Sequence, residues 1–105
     1  MNSLKQRLNF YKLALSNYDN TDRHHDGLCI VMGNIVFGED ANDIRGYYDA
    51  PWDCYYELQQ YFPELPDLPE GFYNESVKKS NEIRVKNLLL AIEKCEQKLK
   101  QYDKS

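Results

Sequence analysis

The stretch His24-His25-Asp26-Gly27-Leu28-Cys29 places two imidazoles, a carboxylate and a thiol within six residues. Such a set could hold a metal ion or form a thiol–imidazole nucleophile. A metal site needs ligands that converge. Adjacent histidines rarely aim at one ion, and no Cys-x-x-Cys or His-x-x-x-His completes a set here. A nucleophile needs its base within hydrogen-bond reach, and His25 precedes Cys29 by four residues, a spacing that suits one helix. But Asp26-Gly27 reads as the start of that helix, which leaves His25 outside it. Ile30-Val31-Met32 follows Cys29 and favours burial, where a small thiol behaves as a hydrophobe. The stretch therefore reads as punctuation: the histidines end a polar loop, Asp26 caps, and Gly27-Leu28-Cys29 turns the chain into the core. No catalytic residue, metal ligand or cofactor is assigned, and the chain is not expected to be an enzyme.

The other candidates for chemistry thin out in the same way. In Gly38-Glu39-Asp40-Ala41-Asn42-Asp43-Ile44-Arg45-Gly46, Asp40 and Asn42 have the alternation of a calcium loop. Ile44 then takes the third ligand position and Arg45 the position of the sharp-turn glycine, so an EF-hand is rejected. There is no phosphate loop, dinucleotide glycine fingerprint or nucleophile elbow. What remains is acidic and aromatic. Tyr47, Tyr48, Trp52, Tyr55, Tyr56, Tyr61 and Phe62 intermix with Asp43, Asp49, Asp53, Glu57 and Glu64. A short helix cannot turn all these rings into one core. Exposed Tyr and Trp anchor interfaces, and a surrounding acidic field steers basic partners. The candidate partner-binding residues are Asp43, Tyr47, Tyr48, Asp49, Trp52, Asp53, Tyr56 and Glu57. The competing reading, with the rings as core and the carboxylates as a solubilising rim, stands level with it.

Charge is segregated along the chain. Residues 1–25 sum to +2, residues 26–75 to −10 with Arg45 their only basic group, and residues 76–105 to +4. Some of this charge can pair within the fold. The remainder would repel a phosphate backbone, so direct nucleic-acid binding is not expected.

The elements that must position these groups follow from periodicity. Leu4, Leu8, Tyr11, Leu15 and Tyr18 draw one stripe down a helix over about Ser3 to Tyr18, with Ser3 as cap. Val85, Leu88, Ile92, Cys95, Leu99 and Tyr102 do the same from about Ser80 to Tyr102, with Glu82–Lys86 and Glu96–Lys100 as polar-side pairs. Between them, Pro51 suits the first turn of a short helix that ends at Pro63. Pro63, Pro66 and Pro69 recur every third residue, the period of polyproline II, and read as a stiff, extended connector, in the bland case a rigid surface loop. Residues 28–37 read either as a helix capped by Asp26 or as a β-hairpin turning at Gly33-Asn34. The expected fold is mainly α: a small bundle with antiparallel N- and C-terminal helices and a shorter central helix, in one domain spanning residues 1–105. The two stripes span few heptads, which suits a core better than a dimer seam.

At 105 residues and 42% apolar, the chain suffices for a modest core and is not of disordered composition. No apolar run is long enough to cross a membrane, and the N-terminus lacks the pattern of a secretory leader. Three widely spaced cysteines, Cys29, Cys54 and Cys95, are expected as reduced thiols in a cytoplasm.

Gly27-Leu28-Cys29, then Tyr61-Phe62-Pro63-Glu64-Leu65, then Arg84 followed by Leu88, Leu89 and Ile92, form a pattern over roughly residues 8–100. It resembles small uncharacterised proteins of tailed bacteriophages. Where that family carries Trp-rich residues, this chain has Gly71-Phe72-Tyr73. The resemblance implies a helix opening at Gly27 and an accessory protein acting in a bacterial cytoplasm, and it carries no reaction. The function expected is binding to a basic host protein, such as a defence or nucleic-acid-binding factor, by a monomer or homodimer. The alternative is a protein that sequesters a small ligand or nucleotide on its aromatic rings.

Overall fold

The computed structural model describes residues 3–19 and 55–104, with residues 55–57, 73 and 102–104 described by their backbone alone. The fold is mainly helical. Helix α1 spans Leu4–Leu15, α2 spans Tyr55–Tyr61 and α3 spans Val77–Lys104, with a 3-10 turn at Phe72–Asn74. No strand occurs among the described residues. The N- and C-terminal helices pack against each other, and α2 is the short central helix.

Helix α1 starts where its sequence says it should. Ser3 accepts from the Gln6 backbone N–H, and the Gln6 side chain accepts from the Ser3 N–H, a reciprocal capping box. It stops at Leu15 rather than Tyr18 because local side chains take over the backbone. The Ser16 hydroxyl and the Asn17 amide both donate to the Leu13 carbonyl, at 2.7 and 2.9 Å. Tyr18 still packs on the core from beyond the helix end.

Helix α3 starts about one turn before Ser80. The Ser76 hydroxyl accepts from the Lys79 N–H and caps an extra turn whose residues show no apolar period. Its stripe is largely the core: Leu88, Ile92 and Cys95 are buried, and Leu99 is partly buried against them. Leu8, Tyr11 and Ala14 of α1 and Leu58 of α2 complete one cluster with Phe62, Leu65, Phe72 and Ala91. Phe62 sits edge-on to the rings of Phe10 and Tyr11, with centroids 6.3 and 5.8 Å away.

The proline-spaced connector is no surface loop. Phe62, Glu64 and Leu65 are buried, and Leu68 is partly buried. The backbone turns at once after α2, with the Leu65 N–H donating to the Phe62 carbonyl. Gln59 then ties the connector back to α2, donating to the Leu65 carbonyl at 3.0 Å and to Asp67 at 2.9 Å. The prolines stiffen a segment that turns Phe62, Glu64 and Leu65 inward. Gly71, at φ +81°, makes the left-handed turn into the 3-10 segment that buries Phe72. Among the described residues, no helix is long and apolar enough to cross a membrane.

Candidate functional site

One buried polar cluster stands out, and it centres on Glu64. Its side chain is fully buried, and it is placed there by the turn after α2. Arg7 of α1 grips it with both ends of its guanidinium: Nε donates to Oε1 at 2.8 Å and Nη2 to Oε2 at 3.0 Å. The Tyr11 hydroxyl, one helical turn on, donates to Oε1 at 2.8 Å. Lys98 of α3 reaches Oε2 from the more exposed side at 3.2 Å. Arg7 and Tyr11 are four residues apart, so α1 presents both on one face. The carboxylate thus collects donors from both terminal helices while it sits on the connector.

The electrostatics follow from burial and donors. Burial alone would raise the Glu64 carboxyl, but the hydrogen bonds from Arg7, Tyr11 and Lys98 outweigh it and hold its pKa at about 2. The bond to Glu64 in turn raises Arg7 further above its ordinary value. Burial, then the Glu64 contact, lifts Tyr11 well above the ordinary phenol range. Burial beside the same carboxylate pushes the Cys95 thiol up to about 11. At neutral pH the cluster is therefore a carboxylate held ionised, a phenol held protonated and a thiol held protonated. Glu64 is a poor proton donor or acceptor, and Cys95 is a poor nucleophile. What the arrangement does well is fix three chain segments to one another.

A second polar group lies along α3. Asn81, Arg84 and Asn87 are buried, and Arg84 donates to the Asn81 side chain at 2.9 Å. The Arg84 guanidinium also lies over the Phe72 ring, 5.5 Å from its centroid. Among the described residues, no three His, Cys, Asp or Glu side chains could share a metal ion.

Of the residues singled out from sequence, Asp43, Tyr47, Tyr48, Asp49, Trp52 and Asp53 lie outside the described residues, as do the His24–Cys29 stretch, the segment 28–37 and Cys54. Tyr56 and Glu57 belong to α2, with only their backbone described. The end of the acidic, aromatic stretch divides. Phe62 and Glu64 go inward, while Tyr61 is about half exposed at 49%. Glu64, which belongs to the acidic, aromatic stretch but not to the candidate partner-binding residues, is thus a core residue. Nothing local marked it for burial: Asp67 sits between Pro66 and Leu68 in the same Pro-acid-Leu pattern and is exposed. Arg7 gave no signal either, because a basic residue on a helix reads as solvated unless its partner is known.

No protein-family model, curated protein or solved structure matches this chain.

Proposed function

We propose that this chain is a non-enzymatic binding protein that engages a basic protein partner through the acidic, aromatic stretch of residues 43–57. The observation that supports it is the state of the Glu64 cluster. The best-equipped polar site among the described residues holds its groups in protonation states that suit a scaffold and not proton transfer or nucleophilic attack. It also accounts for only one of the eleven acidic residues in 26–75, where Arg45 is the only basic one. Rings of the kind found at 47, 48, 52 and 56 supply the anchoring area, and the acid supplies attraction over distance. The resemblance to tailed-phage proteins extends the proposal to a host factor in a bacterial cytoplasm. A factor that itself binds nucleic acid would offer a basic groove that this stretch occupies as a mimic of the backbone.

The test is charge reversal. Asp43, Asp49, Asp53 and Glu57 are changed together to Lys, and helical circular dichroism checks the fold. Captured partners are then compared with wild type across a salt series. The expected outcome is loss of a basic partner that wild type releases as salt rises. Partners retained with unchanged salt dependence would overturn the reading. A thermal shift with nucleotides, in the absence of any protein partner, would replace it with the sequestering alternative.

A further inference from the structure

The core stripe of α3 leaves a different face of that helix open. Val85, Leu89 and Leu90, with Glu82, Lys86 and Glu93, line a groove of about 320 Å³. Leu89 is 51% exposed and Leu90 37%, whereas Leu88, Ala91 and Cys95 on the other side are buried. At about 3.6 residues per turn, Leu89 and Leu90 lie about 50° to either side of the direction opposite the buried face.

From the charges around these leucines we infer that the occupant of this face is α3 of a second copy of the chain, packed antiparallel about a two-fold axis between Leu89 and Leu90. Such an axis sets each residue against one equally far on the other side. Leu89 then meets Leu90 of the second copy, and Leu90 meets its Leu89. Three residues further out, Lys86 meets Glu93 of the second copy, and Glu93 meets its Lys86, so one sequence supplies two identical ion pairs. Val85 falls opposite Lys94, whose aliphatic stem can cover it. A parallel, in-register pair would instead set Lys86 against Lys86 and Glu93 against Glu93, which repels. Glu93 is exposed, and Gln97 donates to it only across 3.4 Å, the long end of hydrogen bonding. A crossing of two helices with so short an apolar centre buries less than a standard interface, so the dimer is weak. The surface involved shares no residue with positions 43–57, and this inference stands or falls apart from the proposed function.

The test is sedimentation velocity on the full chain from low micromolar to millimolar concentration. Wild type should shift from monomer to dimer across that range. Leu89→Asp should stay monomeric with unchanged helical circular dichroism. Lys86→Glu and Glu93→Lys should each weaken the dimer roughly tenfold, by placing like charges together. The double variant Lys86→Glu/Glu93→Lys should restore it to within about threefold of wild type, since the pairs reform with reversed polarity. Wild type that remains monomeric throughout overturns the inference. So does a dimer indifferent to Leu89→Asp, or a charge swap that fails to rescue.

Discussion

Glu64 shows how one residue changes meaning between sequence and structure. In the sequence it is one of many carboxylates beside aromatic rings. In the fold it is the acceptor for Arg7, Tyr11 and Lys98. Its depressed pKa has a definite consequence for stability. A carboxyl at about 2 in the folded chain and near its ordinary 4.5 in the unfolded chain binds more protons when unfolded over the interval between them. Its contribution is therefore complete above the ordinary value and lost as pH falls through the folded one. Urea unfolding of wild type should lose on the order of 2–3 kcal/mol between pH 5 and pH 2 from this group. Glu64→Gln should start lower and show a shallower acid decline; an unchanged slope would show that other carboxyls govern the acid limb. The donors should not weigh equally. Arg7→Ala removes the two-pronged partner of a buried carboxylate, leaving it Tyr11 and Lys98, and should cost about 3 kcal/mol. Lys98 is half exposed, and Lys98→Ala should cost less than about 1 kcal/mol. Comparable losses from the two would mean that the guanidinium fork is not the dominant partner.

At the scale of elements, the ends of the helices were less legible than their faces. Apolar period found α1 and α3 because core contact selects residues three and four apart. Ser3 was readable as a cap because its hydroxyl acts within its own turn. Ser3→Ala should cost about 1 kcal/mol, read as a lower urea midpoint with an unchanged slope. The Ser76 cap was hidden, since no apolar period accompanies the turn it begins. Ala14 and Ala91 also escaped, as alanine belongs equally to core and surface. The connector misled for a different reason. Prolines report backbone stiffness and say nothing about which side chains point inward, and Phe62, Glu64 and Leu65 do. Gly71 belongs to the same segment. A Cβ there would meet nothing within 4 Å, so Gly71→Ala tests the backbone alone. The left-handed turn should make it destabilising by about 1 kcal/mol. A neutral substitution would mean that the turn relaxes without moving Phe72. Of the residues behind the phage resemblance, Phe62, Glu64, Leu65, Arg84, Leu88 and Ile92 are buried, Tyr61, Pro63 and Leu89 are exposed, and Gly27, Leu28 and Cys29 lie outside the described residues.

For the whole molecule, the uneven charge map has a counterpart in the core. The basic N-terminal block, the acidic middle and the basic C-terminal block each send one residue to the same buried point: Arg7, Glu64 and Lys98. That pairing is short and largely shielded from solvent, so dissolved ions screen it little. Most of the −10 carried by residues 26–75 is not used there, and like charges crowded into one stretch oppose the compact state. Salt should therefore act in opposite directions on folding and on recognition. As salt rises from low to near-molar concentration, the urea midpoint should hold or rise, because repulsion within the acidic middle is relieved while the Glu64 cluster persists. Over the same series, affinity for a basic partner should fall, because the attraction that steers it is screened. Equilibrium unfolding and binding titrations on the same preparation measure both. If the two fall together, exposed ion pairs rather than the buried cluster hold the helices in place. If neither moves, the acidic excess is not a recognition surface, and the aromatic rings of residues 47–56 must act without it.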